Sequence, residues 1–196
     1  MARKRPEQKI TDTKQMRALS SSVRQEIIDT VNALSVCSIR EIALALGCSA
    51  DSLYYHIRAL IEAGLLVKAG TRPSSRREEL LVSTPTRGIM RLCYEPNNED
   101  TVNTVARIVG SMLRVAERDF KAGFKPDIAR CDGSERNLNA SRQKAWLNKA
   151  QRREVNVILH RLQEIFSETQ PTEGSELHSL TFVLAPIEPK EVRSGG

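Results

Sequence analysis

Residues 49–66 of this 196-residue chain read SADSLYYHIRALIEAGLL, the pattern of a capped amphipathic helix. Ser49 is of a residue type that caps helix N-termini, and Gly64 can adopt the left-handed conformation that ends a helix. Between these two residues, apolar side chains recur at intervals of three and four, which places them on one helical face. We therefore expect a helix with one polar face and one buried face, the latter formed by Leu53, Ile57, Leu60 and Ile61.

Two shorter helices are predicted before this one. Residues 38–41 read SIRE, a capping box, and open a helix that should run through Ile42 and end at Gly47. Residues 22–25 read SVRQ, a second capping box. The apolar residues of this helix, Val23, Ile27, Val31 and Leu34, are spaced by four, four and three. The helices that begin near Ser38 and Ser49 should cross at a steep angle. Apolar contacts should hold them there, through Ile42, Leu46, Cys48 and Leu53.

A β-hairpin is predicted after the third helix. Residues 65–69 and 79–83 are short and apolar, and the residues between them are of turn-forming types. Three helices followed by a hairpin form the element order of a winged helix-turn-helix. The sequence therefore predicts this fold for residues 19–96.

Residues 49–66 resemble the recognition helix of the ArsR-type winged-helix regulators, which reads S-x-x-[ST]-[VL]-x-x-H-[LI]-[RK]-x-L-x-x-A-G-L-[VL]. The resemblance extends over residues 19–84 and is weak beyond them. It implies a prokaryotic transcription factor that binds operator DNA as a homodimer, and it does not identify an inducer.

The predicted DNA contacts lie on the polar face of the third helix and on the hairpin. With 100° per residue, Asp51, Tyr55 and Arg58 point away from the core, and Tyr54 and His56 lie on the flanks. Arg58 can bind a phosphate or a guanine edge in the major groove, and Asp51 is best placed in the cap. His56 matches the histidine of the family pattern, and it can equally be a packing residue. The expected DNA-binding residues are Ser49, Ser52, Tyr54, Tyr55, His56, Arg58, Arg72, Arg76 and Arg77.

Charge is concentrated in the first half of the chain, whose net charge overall is +6. Residues 1–96 hold 15 Lys and Arg against 10 Asp and Glu, whereas residues 97–196 hold 15 against 14. A basic half beside a nearly neutral half favours a nucleic-acid-binding module joined to a different domain. Residues 1–18 are interpreted as a mobile basic arm that either contacts phosphates or has no role, with Arg3, Lys4, Arg5 and Lys9 as its cations.

Residues 97–190 are predicted to form a dimerisation domain that could also sense an effector. A long helix over residues 97–122 carries a heptad-like seam, expected at the dimer interface and formed by Val102, Val105, Val109, Met112 and Ala116. A last helix over residues 148–168 has a second apolar face, and residues 180–185 predict a strand paired within residues 127–147. Residues 191–196 are predicted to form a tail. The fold class is therefore mainly α with small β-sheets (α+β).

Other classes of function find little support in the sequence. Cys37, Cys48, Cys93 and Cys131 have no metal-ligand spacing, and the three histidines have no nucleophile–base pattern. We expect no enzyme activity, no metal and no cofactor. We also expect a cytoplasmic protein, because no membrane-spanning segment or secretory signal is found. Two alternatives stay open: a winged-helix protein-interaction module, and a metal- or redox-responsive repressor. A small-molecule effector is possible, with no identity indicated.

Overall fold

The computed structural model describes residues 7–74, 78–86, 88–168 and 171–188. The predicted tail, residues 191–196, lies outside the residues that the structure describes. The predicted class, mainly α with small β-sheets, is confirmed. No helix in these ranges is both long and apolar enough to cross a bilayer. The elements in chain order are β1 (Gln8–Ile10), α1 (Thr13–Leu19), α2 (Ser22–Leu34), β2 (Cys37–Ser38), α3 (Ile39–Leu46), α4 (Ala50–Glu62), β3 (Val67–Pro73), β4 (Glu78–Ser83), β5 (Met90–Leu92), α5 (Glu99–Ala122) and α6 (Lys149–Glu168).

Helices α2, α3 and α4 pack together around the main core, as predicted. Ile27, Ile42 and Leu60 are fully buried, one from each helix. Two side chains expected in this core are instead exposed, so both predictions were wrong. Val23 lies in the first turn of α2, where Gln25 is the buried side chain. Cys48 follows the left-handed turn that ends α3, and this turn directs it to solvent.

The predicted capping boxes had different outcomes. At α3 the box is confirmed: the Glu41 N–H donates to Ser38 Oγ at 3.3 Å, and the Ser38 N–H donates to Glu41 Oε2 at 2.7 Å. At α2 it was wrong, because the N-cap is Ser21 and makes no side-chain cap bond. The Gln25 amide is used elsewhere, donating to the carbonyl oxygens of Leu19 at 2.6 Å and Ile108 at 3.2 Å.

The predicted hairpin is confirmed as β3 and β4, and β2 extends it to a three-stranded antiparallel sheet in the order β2-β4-β3. The register shifts between Lys68 and Gly70, where a bulge interrupts the pairing. Gly70 has a φ of 114°, which side chains with a Cβ rarely adopt. Leu65 and Leu66 were assigned to the first strand, but they precede it and are buried in the core.

Residues 7–18 are part of the folded body, which corrects the interpretation of this segment as a mobile arm. β1 pairs in parallel with β5, and the Ile10 side chain is fully buried. α1 begins after Asp12, whose carboxylate accepts from the Lys14 N–H, and it buries Met16. The arm cations Arg3, Lys4 and Arg5 lie outside the described residues. Lys9 is exposed on β1.

Helix α5 packs against α1 and α2 and shares their core, although the sequence placed it in a separate domain. Ile108 is 2% exposed and belongs to the same apolar cluster as Ile27. Within the predicted seam, Val105 and Met112 contact this cluster. Val102, by contrast, is 42% exposed. The seam is therefore divided between the chain's own core and solvent.

The C-terminal part of the chain, from α6 onward, buries few of its apolar side chains. α6 forms where predicted, but none of its described residues is buried. Described residues 97–168 and 171–188 include no strand, so the strand expected at 180–185 was wrong. The reason is the lack of an adjacent strand to supply backbone partners. Instead, the Arg130 guanidinium holds this region by donating to both Glu176 carboxylate oxygens, at 2.9 and 2.8 Å.

Candidate nucleic-acid interface

Helix α4 presents an open polar face above a closed apolar one. Its inner residues Leu53, Ile57 and Leu60 are at most 2% exposed. On the outer side, Tyr55 is 73% exposed and the Arg58 side chain is 83% exposed. Because no other described element covers this face, it is free to approach a partner.

The first turn of α4 is held by two serines. Ser49 Oγ accepts from the Ser52 N–H at 3.3 Å, which confirms Ser49 as the N-cap, and Ser52 Oγ donates to the Ser49 carbonyl at 2.7 Å. Asp51 lies exposed in the same turn, where its negative charge is favourable near the helix N-terminus. The two serines predicted to contact DNA therefore also fix the start of α4.

Arg58 makes an ion pair along the exposed face. Its Nε lies 2.9 Å from Glu62 Oε1, one turn further along α4. Exposed pairs at this spacing contribute only about 0.3–0.5 kcal/mol to stability, so Arg58 can exchange Glu62 for another anion at little cost. With Asp51 nearby, the charges of α4 sum to −1, so the face carries little net charge.

His56 is half-buried on the flank of α4, beside Arg24 of α2. Its Nδ1 and Arg24 Nε are buried without a hydrogen-bond partner among the described residues. Burial, together with the charge of Arg24, lowers the pKa of His56. Tyr55 contacts the imidazole edge-on, with ring centroids 5.4 Å apart. His56 is thus placed partly in the packing between α2 and α4, and its role in binding stays a prediction.

Arg72, predicted as a hairpin contact to DNA, is held by two carboxylates. Its Nη2 lies 3.0 Å from Glu41 of α3 and 3.3 Å from Glu79 of β4. The pKa of Glu41 is lowered by the hydrogen bond from the Ser38 N–H, partly opposed by burial, and further by Arg72. Arg72 therefore ties the hairpin to α3. Arg76 and Arg77 lie outside the described residues.

Helix α1 supports the far end of α4, which the sequence interpretation missed. Lys14 Nζ donates to the Glu62 carbonyl at 2.9 Å, and Gln15 Nε2 donates to the Ala63 carbonyl at 3.2 Å. These carbonyls belong to the last turn of the helix, where they lack partners within α4. The available signal was the cap residue Asp12, which precedes the buried residue Met16.

The metal- or redox-responsive alternative depends on the four cysteines, all of which lie within the described residues. All four are unpaired, and no group of three or more His, Cys, Asp or Glu side chains within the described ranges could hold a metal ion. Burial, and to a lesser degree the charge of Glu41, raises the pKa of Cys37 to about 11, so its thiol stays protonated at neutral pH.

Comparison with known families agrees with the geometry of α2 to α4. Residues 19–69 match the profile of a family described as a helix-turn-helix domain. No curated protein shows significant similarity to the chain. The N-terminal region is thus a helix-turn-helix domain, of the type found in DNA-binding transcription regulators.

Proposed function

We propose that this chain is a transcriptional regulator of the ArsR type that binds specific sequences in double-stranded DNA as a homodimer. The observation that supports this most directly is the open face of α4, with Tyr55 and Arg58 exposed above a fully buried inner face. A helix with this exposure can enter the major groove, which is wide enough to admit it. The proposed regulator would act in the cytoplasm, without enzyme activity.

Each contact residue has a role that its surroundings support. Tyr54 is 55% exposed, so both tyrosines can reach a phosphate with the hydroxyl or a thymine methyl with the ring. Arg58 can release Glu62 and make bidentate hydrogen bonds to a guanine edge. Ser49 and Ser52 are proposed to place the first turn of α4 next to the DNA backbone. At the hairpin, Arg76 and Arg77 are proposed to contact the backbone or minor groove, with Arg72 positioning the strands.

Homodimerisation is supported by the apolar surface of α5 and α6. On α5, Val102 and Leu113 are 42% and 51% exposed, next to the half-buried seam residues Val109 and Ala116. The apolar stripe of α6 contains three exposed residues, Ile158, Ile165 and Phe166, and three partly buried ones, Val155, Leu159 and Leu162. Contiguous apolar surface of this kind marks an interaction site. A second copy would cover it and present two recognition helices to two half-sites.

A protein-interaction module is the second candidate, favoured by the near neutrality of the α4 face. A salt titration separates the two. A duplex is first selected from a random DNA pool. If the chain recognises DNA, its affinity for that duplex falls steeply as the salt concentration rises. The absence of any selected duplex motif would instead support the interaction module.

Arg58 and Glu62 provide the sharpest test of the interface. We expect Arg58→Ala to lower affinity for the selected duplex by about 1–3 kcal/mol and to relax sequence preference at one position. Glu62→Gln should raise affinity, because it releases Arg58 and removes a negative charge near the phosphates. Fluorescence anisotropy measures both, with Arg153→Ala on α6 as a matched exposed control. Unchanged affinity in both variants would exclude this face as the contact surface.

A further inference from the structure

A polar groove lies between α1 and α5, apart from the proposed DNA interface. Its volume is about 1040 Å³, and it is lined by residues of both helices and of the turns next to them. Apart from Ala106 and Gly110, every lining residue is polar or charged. None of the lining residues belongs to α4 or to the hairpin, so a ligand here would be separate from DNA on α4.

Three arginines line this groove without a counter-ion. Arg17 comes from α1, and Arg107 and Arg114 come from α5. None of the three has a carboxylate within ion-pair distance among the described residues, although Asp100 also lines the groove. Arg118, further along α5, has both Glu26 and Asp119 as partners. The groove therefore has three arginines against one carboxylate, a net charge of +2 among its lining residues.

The side chains fit oxygen-rich anions. A guanidinium offers planar paired donors that match carboxylate and phosphate oxygens. Arg107 uses one donor on Thr104 Oγ1, at 3.2 Å, and its others have no partner among the described residues. Arg107 and Arg114 are seven residues apart, about 10.5 Å along the helix axis. A ligand with two or more anionic groups can engage both arginines at once.

We propose that the groove between α1 and α5 binds a small polyanion that carries phosphate or carboxylate groups. Arg17, Arg107 and Arg114 supply the charge, and the hydroxyl group of Thr101 supplies a further hydrogen bond. The Arg114 guanidinium lies over Gly110, where an added Cβ would stand 3.6 Å from its Nη1.

Titration calorimetry on the full chain without DNA tests this site, with inorganic pyrophosphate and citrate as separate probes at low ionic strength. We expect saturable binding of at least one probe, and the tighter probe identifies phosphate or carboxylate as the preferred group. Arg107→Gln and Arg114→Gln should each weaken binding about tenfold or more, whereas Arg153→Gln on α6 should leave it unchanged. Thermal melts verify that each variant is folded.

Three results would overturn the proposal: no saturable binding of either probe, equal weakening by Arg153→Gln, or binding unaffected by the groove variants. The first of these results has one specific form. If neither probe binds and Arg107→Gln lowers both the affinity for duplex DNA and its salt dependence, the groove contacts the DNA backbone instead of a small polyanion. Failure of the proposed DNA-binding function appears separately, as a wild-type protein that binds no duplex, and leaves the calorimetry unaffected.

Discussion

Individual polar side chains join the parts of this fold, and Gln25 is the clearest case. Its amide bridges the end of α1 and the middle of α5 while the side chain is almost fully buried. The sequence pattern indicated a local capping role for Gln25, because S-x-x-Q is a helix-start signature. The long-range role could not be predicted, since Ile108 is 83 residues away in the chain.

Replacing Gln25 by the isosteric Glu should destabilise the protein by about 2 kcal/mol or more, because a carboxylate cannot donate to the two carbonyls that face it. Urea unfolding monitored by circular dichroism measures this free energy. Gln151→Glu is the matched control, since Gln151 only accepts a bond from the Asn148 N–H and a carboxylate retains it. Equal midpoints for the two variants would contradict the bridging role of Gln25.

Glu41 links the stability of the hairpin contact to pH. Its pKa is lowered in the folded state by Ser38 and Arg72, so the unfolded chain binds its proton more readily. This contribution is present above the unfolded pKa of about 4.3. It is lost as the pH falls through the lower folded value. Because Glu41 is partly exposed, we expect less than about 1 kcal/mol.

Thermal melts at pH values from 6 to 3 test this contribution. The wild type should lose more stability on acidification than Glu41→Gln, which keeps the side-chain shape without titrating. Parallel stability profiles for the two proteins would show that the Glu41 carboxylate adds nothing.

At the scale of elements, local signals predicted α3 and α4 well. Cap residues and apolar spacing coincide in both, so propensity and packing agree. α1 and β1 escaped prediction because their apolar residues are few, and β1 acquires a partner only through β5, about 80 residues later. The open face of α4 was predicted, whereas its support by Lys14 and Gln15 was not.

The turn between α3 and α4 depends on Gly47, which has a φ of 64°. A Cβ at this position would meet no atom within 4 Å, so the cost of Gly47→Ala is confined to the backbone. We expect a loss of about 1–2 kcal/mol. Gly47→Asn should lose less, because Asn tolerates the left-handed region. Chemical denaturation of the two variants checks the order, and an equal loss in both would contradict the backbone explanation.

For the molecule as a whole, the apolar surface of α6 is exposed to solvent among the described residues. If a second copy covers it, Ile158→Glu should shift the protein from dimer to monomer, because Ile158 lies on the apolar stripe and is 54% exposed. Val157→Glu is the matched control, being 68% exposed but outside the stripe. Sedimentation velocity at micromolar concentration distinguishes the two states. A monomeric wild type, or equal effects of both variants, would contradict dimerisation through α6.

The amino-acid pattern alone was sufficient for helices α2 to α6, the caps at Ser38 and Ser49, the hairpin and the outward face of α4. These features depend on neighbours within a few residues, where periodicity and side-chain type act directly on the backbone. Only the tertiary structure showed three further contacts: the packing of α5 onto α1, the pairing of β1 with β5, and the ion pair between Arg72 and Glu41. Each joins segments distant in sequence, whose contacts depend on how buried surfaces fit together and leave no local signature.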